Sequence, residues 1–177
     1  LILLSSPVIN IFCGNEFGKA ISVLCWTAPI VIFIGLSNVI GIQIFYPLGK
    51  EIFVIWSTLG GAILNFILNL LLIPLYKEDG AAFSTFIAEG SVLAFQFIYG
   101  RKYIPFPIFS SEYKQYILAS IFVAVILIVL SYIISNVWTL VILSVFLGGA
   151  IYFSILYAMQ DSILLEILVY ITKLMKK

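Results

Sequence analysis

Histidine is absent from the 177 residues, and cysteine occurs only at Cys13 and Cys25, both inside apolar runs. These shortages exclude the usual zinc-binding sets, cysteine–histidine nucleophile pairs and a disulfide framework. Charge is scarce as well. Asp, Glu, Lys and Arg make up 10% of the chain, against ~25% in a soluble domain, whose outside must face water. The net charge is +1 and no basic face forms, so nucleic acid is not among the expected partners. What remains is 63% apolar, with a mean hydropathy of +1.22. Lipid is the solvent in which such a composition is stable. The chain reads as an all-α, polytopic membrane protein. Without histidine or paired intramembrane acids, a membrane enzyme is disfavoured.

Five apolar segments are long enough to cross ~30 Å of hydrocarbon at 1.5 Å per residue: about Ala20–Tyr46, Ile52–Leu75, Gly80–Tyr99, Tyr116–Ser135 and Val137–Tyr157. Charges and helix breakers separate most of them, as in Asn15-Glu16-Phe17-Gly18-Lys19, Pro47-Leu48-Gly49-Lys50-Glu51, Lys77-Glu78-Asp79-Gly80 and the run from Gly100 to Pro107. The turn near Asn136 is tight and uncharged. The opening Leu1-Ile2-Leu3-Leu4 runs into a polar break at Cys13-Gly14-Asn15-Glu16, which is too short to span and lacks the marks of a signal peptide. It reads as the tail of a helix that begins upstream of Leu1. Residues 1–157 are then membrane domain, and 161–177 a separate tail.

Loop charge sets the expected orientation. One side holds two basic residues, Lys19 and Lys77, beside Glu16, Glu78 and Asp79. The other holds seven: Lys50, Arg101, Lys102, Lys114, Lys173, Lys176 and Lys177. The second side, with the C-terminus, is expected in the cytoplasm. Tyr46, Trp56, Tyr76, Tyr99 and Trp138 fall near span ends, where amphipathic rings prefer to sit. In the last segment Ser162, Glu166, Tyr170, Lys173 and Lys177 form a polar stripe on an apolar helix. Asp161 begins that helix and lysines end it, matching the dipole, so an interfacial helix on the cytoplasmic leaflet is expected.

Three polar residues lie at depth: Asn65, Asn69 and Glu89. Positions 65 and 89 are centred on 77, the turn between the second and third spans. If these pack as an antiparallel hairpin, Asn65 and Glu89 share a depth ~14–15 Å below the interface. A carboxylate there costs at least ~2.5–3.5 kcal/mol. Such a group can exchange a proton as its surroundings alternate, or it can bond a neighbouring helix and hold the bundle together. The asparagines carry the same two readings. Gln43, Asn38 and Gln96 lie nearer the cytoplasmic ends. Gly60-Gly61 and Gly80-Ala81-Ala82 permit close helix approach, and Pro29 and Pro74 interrupt or end helices.

The run GNEFGKA, a span ending in GIQIFYPLGKE, and then GGAILNFILNLLLIPLYKEDGAAFSTFIAEG together resemble the C-terminal half of polysaccharide flippases. These are the O-antigen and capsule exporters of the multidrug/oligosaccharidyl-lipid/polysaccharide superfamily, relatives of the MATE transporters. The family pattern is matched at Asn65, Asn69, Ile73-Pro74, Gly80-Ala81-Ala82 and Glu89, and the match covers about residues 12–103. The chain departs from it at Lys77, where family turns place glycine.

The resemblance implies a MATE-like bundle of 12 to 14 spans, of which this chain supplies the last five and the end of the one before. It implies translocation of an undecaprenyl-diphosphate-linked oligosaccharide across the bacterial cytoplasmic membrane by alternating access. No cofactor is implied; a proton or sodium ion would couple transport, with Glu89, Asn65, Asn69 and Gln43 as ion-coupling or cavity candidates. Arg101, Lys102 and Lys50 are the candidates for lipid phosphate, although topology alone also explains their position. Implied partners are the lipid-linked substrate, membrane lipids, and the polysaccharide polymerase and glycosyltransferases of the same pathway. The alternative within the superfamily is a drug/cation antiporter of the MATE branch.

Overall fold

The computed structural model describes residues 2–103 and 114–175. The end of the expected loop from Gly100 to Pro107, together with Leu1, Lys176 and Lys177, lies outside the described residues, as does the Ser162 side chain. Most of the described residues are helical, with no strand among them. The chain is an all-α, multi-pass membrane protein. It divides into two compact units, residues 1–107 and 108–177.

The first unit begins with a short apolar helix, α1 (Ser5–Phe12). The first membrane-length segment, Lys19–Phe45, is assembled from α2 (Lys19–Thr27), α3 (Ile30–Asn38) and a π-helical segment (Val39–Phe45). Pro29 marks the break between α2 and α3. Its nitrogen has no hydrogen to donate to the carbonyl of Cys25, so the regular ladder stops there. The π segment is wider still, closing i→i+5 bonds such as Tyr46 N–H to the Gly41 carbonyl at 3.1 Å.

The next helix, α4 (Glu51–Gly100), is 50 residues long. Drawn straight it would measure ~75 Å, more than twice the hydrocarbon thickness. It instead reverses at Lys77, whose φ of 51° and ψ of −124° are not helical. The outgoing arm (51–76) and return arm (78–100) are therefore two helices, each long enough to cross the hydrocarbon. A Cβ on Gly80 would fall 2.4 Å from the Leu72 carbonyl oxygen, and one on Gly61 would fall 2.3 Å from Val92 Cγ2. Gln96 Nε2 donates to Ser57 Oγ at 3.0 Å. The pairs 72–80, 61–92 and 57–96 are each centred within one residue of Lys77. Positions 65 and 89 are centred within one residue of these pairs, which puts Asn65 and Glu89 at about the same level of the hairpin.

Aromatic clusters brace both ends of this unit. Trp26 meets Phe83 and Phe86 edge-on, with centroids 4.9 and 5.9 Å apart. At the opposite end Phe45, Phe53 and Tyr103 lie within 6.5 Å of one another. Most other large apolar side chains are exposed, among them Phe66, Leu70, Leu71 and Val31. These surfaces suit lipid and would not be stable in water.

In the second unit α5 (Lys114–Ile133) packs on α6 (Val137–Ala158). The seam is built from small residues. Ala119, Ser144 and Gly148 are buried, and a Cβ on Gly148 would lie 3.4 Å from Val123 Cγ1. Asn136 explains the uncharged turn: its Oδ1 accepts the Thr139 N–H at 3.1 Å and caps α6. The amphipathic α7 (Ser162–Met175) follows, with Ile163, Ile167, Val169 and Tyr170 exposed.

Candidate functional site

A recess of about 140 Å³ opens between α3, the start of the π segment and both arms of α4. Its polar lining is Ser37, Asn38, Thr58, Glu89 and Gln96, surrounded by Ile34, Ile42, Val54 and Val92. Five oxygen-bearing side chains around one small volume are unusual in segments this apolar. Gly41 makes the approach possible, since a Cβ there would lie 3.3 Å from Val54 Cγ2 and 3.8 Å from the Gln96 amide.

The hydrogen bonds around the recess are incomplete. Ser57 Oγ donates to the Val54 carbonyl at 2.9 Å and accepts from Gln96 Nε2. Gln96 Oε1 and Ser37 Oγ are buried without a partner among the described residues. Both side chains are more than nine-tenths buried, at 2% and 8% exposure. Glu89 is half-buried, and among the described residues no basic side chain lines the recess with it.

Asn65 and Asn69 lie elsewhere. Asn69 Nδ2 donates to Asn65 Oδ1 at 2.7 Å along one helix face, and Asn69 Oδ1 is left buried without a partner among the described residues. Neither lines the Glu89 recess, although Asn65 is at about the level of Glu89. Gln43 is exposed and outside the recess, whereas Gln96 and Asn38, at comparable depth, line it. Ser37 and Thr58 are the members that sequence reasoning missed. A lone hydroxyl in an apolar run ordinarily bonds its own helix, so it carries no signal.

Loop charges separate to the two ends of the first unit. At one end Lys19 Nζ lies 4.0 Å from Glu78, an exposed pair. Nearby, Trp26, Leu72, Tyr76, Asp79, Gly80 and Phe83 line a second recess, where Asp79 Oδ1 is buried without a partner among the described residues. At the other end Lys102 Nζ and Lys50 Nζ lie 4.9 and 6.0 Å from the Tyr103 ring centre, with Arg101 exposed beside them. The structure thus brings Lys50 and Lys102 to one tyrosine.

In the second unit Asp161 closes the end of α6 onto α5 and α7. Its Oδ2 accepts from Gln115 Nε2 and from the Tyr116 hydroxyl, the latter at 2.6 Å, and its Oδ1 accepts the Leu164 N–H at 2.9 Å. The Tyr116 bond, then the backbone bond, hold its carboxyl below the usual carboxylate range. Among the described residues no three His, Cys, Asp or Glu side chains gather as a metal cluster would require.

The fold and recess define a multi-pass membrane protein with a polar site between its spans. No protein-family model matches the chain, and no solved structure gives a significant match. The chain is similar to "Lipid II flippase MurJ" of Bacillus subtilis (strain 168), with 29% identity over 104 residues. That stretch is 57% of this chain and 19% of the relative, so the chain matches less than a fifth of that protein's length. The likeness is to a lipid flippase and does not reach the O-antigen and capsule branch that the motif run resembles.

Proposed function

We propose that the protein is a flippase, a transporter and not an enzyme. It carries an undecaprenyl-diphosphate-linked oligosaccharide repeat unit from the inner to the outer leaflet of the bacterial cytoplasmic membrane, for surface polysaccharide synthesis. The observation that carries this reading is the likeness to a protein named for flipping lipid II, over more than half of this chain. The residues agree with it chemically. A polar headgroup crosses hydrocarbon only inside a protein that offers it polar groups, and the Glu89 recess puts such groups between membrane-spanning helices.

Alternating access would move the headgroup while the prenyl tail stays in lipid. Lys50 and Lys102, which flank the Tyr103 ring, and the adjacent Arg101 would meet the diphosphate at the cytoplasmic mouth. Glu89 would carry the coupling proton or sodium ion. Deleting the gene tests the substrate: lipid-linked repeat units should accumulate on the cytoplasmic leaflet and return to the outer leaflet on complementation. Normal outer-leaflet delivery in the deletion strain would show that the cargo is something else.

A further inference from the structure

The second recess, at the Lys77 end of the hairpin, plays no part in the transport reading. Its volume is about 340 Å³, within the ~300–1,000 Å³ of small-molecule sites. Three of its six lining residues are aromatic, Trp26, Tyr76 and Phe83, and one is the acid Asp79. An acid in the first turn of a helix ordinarily serves the dipole, either solvated or accepting a first-turn N–H. Asp79 Oδ1 does neither: it is buried, with no partner among the described residues. An ionised carboxylate oxygen only accepts, and no lysine or arginine among the described residues lines the recess to answer it. The missing donor has to come from outside the chain.

We propose that this recess binds the ammonium group of an amine-bearing phospholipid, with Asp79 as its counter-charge and Trp26, Tyr76 and Phe83 as its aromatic walls. An ammonium group is attracted both by the faces of such rings and by a carboxylate acceptor. A saccharide hydroxyl could also donate to Oδ1, but it would leave the charge of a half-buried carboxylate unbalanced among aromatic side chains. An ammonium group supplies the hydrogen bond and the charge together.

Position makes a lipid the source of that group. Leu72 is five residues from Lys77 and Phe83 six, so the recess reaches ~7–9 Å below the turn. The headgroup layer on each side of the hydrocarbon is ~5–8 Å thick. Tyr76 is 62% exposed and Trp26 40%, so the walls are open to the surroundings. Lys77 is exposed two residues from Asp79, whereas Lys19 already lies 4.0 Å from Glu78. Lys77 therefore offers a cation to the phosphate that the same headgroup carries. The walls are also fixed before anything binds, because Phe83 and Phe86 hold Trp26 edge-on. A lipid bound here would tie α2 to the hairpin turn.

The test is binding of phosphatidylethanolamine with a fluorescent acyl chain to the purified complete gene product in detergent at neutral pH. Wild-type protein should bind it saturably. Unlabelled phosphatidylethanolamine should displace it at least ~10-fold better than phosphatidylglycerol or N-acetyl-phosphatidylethanolamine, which lack the positive charge. Asp79→Asn should weaken binding at least ~10-fold and Tyr76→Leu ~2- to 10-fold, while Glu78→Gln leaves it unchanged. Melting temperatures show which variants are folded, and the competition series needs no variant. Equal displacement by the lipids without an amine, or wild-type binding by folded Asp79→Asn, overturns the proposal. Displacement by free ethanolamine at the same concentration as the lipid would make the ligand a soluble amine and overturn the lipid assignment. Equal displacement by a lipid-linked saccharide that carries no amine would make the recess a saccharide site and overturn it as well. No transport is read, so each outcome leaves the flippase reading where it stands.

Discussion

Gly80→Ala should destabilise the protein more than Gly61→Ala or Gly60→Ala. The added Cβ would sit 2.4 Å from the Leu72 carbonyl oxygen, 2.7 Å from its carbon and 3.1 Å from Ile73 N. All three obstacles are backbone, so no rotamer change relieves the clash and the arms must part by roughly 1 Å. Overpacking of this kind costs ~1–3 kcal/mol, here toward the upper end. Alanine's helix preference over glycine returns up to ~1 kcal/mol, leaving a net loss of ~2 kcal/mol. Gly61→Ala meets Val92 Cγ2 at 2.3 Å, a side-chain atom that can rotate away, so its net loss should be ~1 kcal/mol or less. Gly60→Ala meets nothing within 4 Å and should be neutral or slightly stabilising. Reversible unfolding of the three variants in mixed micelles ranks them. If Gly80→Ala unfolds no more readily than Gly60→Ala, the arms do not approach at 72 and 80, and the hairpin register is wrong.

Lys77→Gly should act in the opposite direction. A φ of 51° with ψ of −124° costs a lysine ~1–3 kcal/mol, and after allowing for glycine's freer unfolded state the net gain is ~1 kcal/mol by the same unfolding assay. A double-mutant cycle on Ser57→Ala and Gln96→Leu should give a coupling of ~0.6 kcal/mol, with ~1.7 kcal/mol as the ceiling for a membrane hydrogen bond; zero coupling would remove the bond. At Asp161 the folded carboxyl titrates below its ordinary value of 3.8, so its stabilisation is complete above that value and is lost as pH falls through the lower folded value. Hydrogen exchange in α7 should therefore accelerate in that acid range in the wild type but show no such step in Asp161→Asn.

Much of the architecture is legible because membrane length and loop charge are local signals. Lys77-Glu78-Asp79-Gly80 between two long apolar runs marks the hairpin, and the common centre of positions 65 and 89 follows from it. The departure from glycine at 77 gains a physical meaning only in the structure, which shows the positive φ that the glycine would relieve. The recess is less legible for a geometric reason. Glu89 announces itself by cost, but Ser37 and Thr58 are single hydroxyls on other helices, brought near it by tertiary packing. Gln43 and Gln96 look alike in sequence. One is exposed and the other is 2% exposed, because Gly41 lets the return arm close on the π segment. Asp161 is visible as a helix start, whereas its donors Gln115 and Tyr116 arrive from 46 and 45 positions away.

The same geometry assigns the two polar arms of the hairpin different sensitivities. Asn65 and Asn69 bond each other along one helix, so their pairing survives any motion of that helix as a body. Glu89 and Gln96 share their recess with Ser37 on α3, so their environment changes whenever α3 and the hairpin separate. Asn65→Leu removes the acceptor for Asn69 Nδ2 and leaves the whole Asn69 amide unpaired, beside an oxygen that already has no partner among the described residues. Asn69→Leu removes that orphan along with the donor and leaves one unpaired oxygen at Asn65. Asn65→Leu should therefore be the more destabilising of the two, by ~1 kcal/mol. On the proposed flippase function, outer-leaflet delivery should fall in both variants only in proportion to the amount of folded protein. Glu89→Gln should instead lower delivery per folded molecule, with stability little changed. If Asn65→Leu abolished delivery at normal folded abundance, the asparagine face would belong to the transport path, and the division between the two arms would fail.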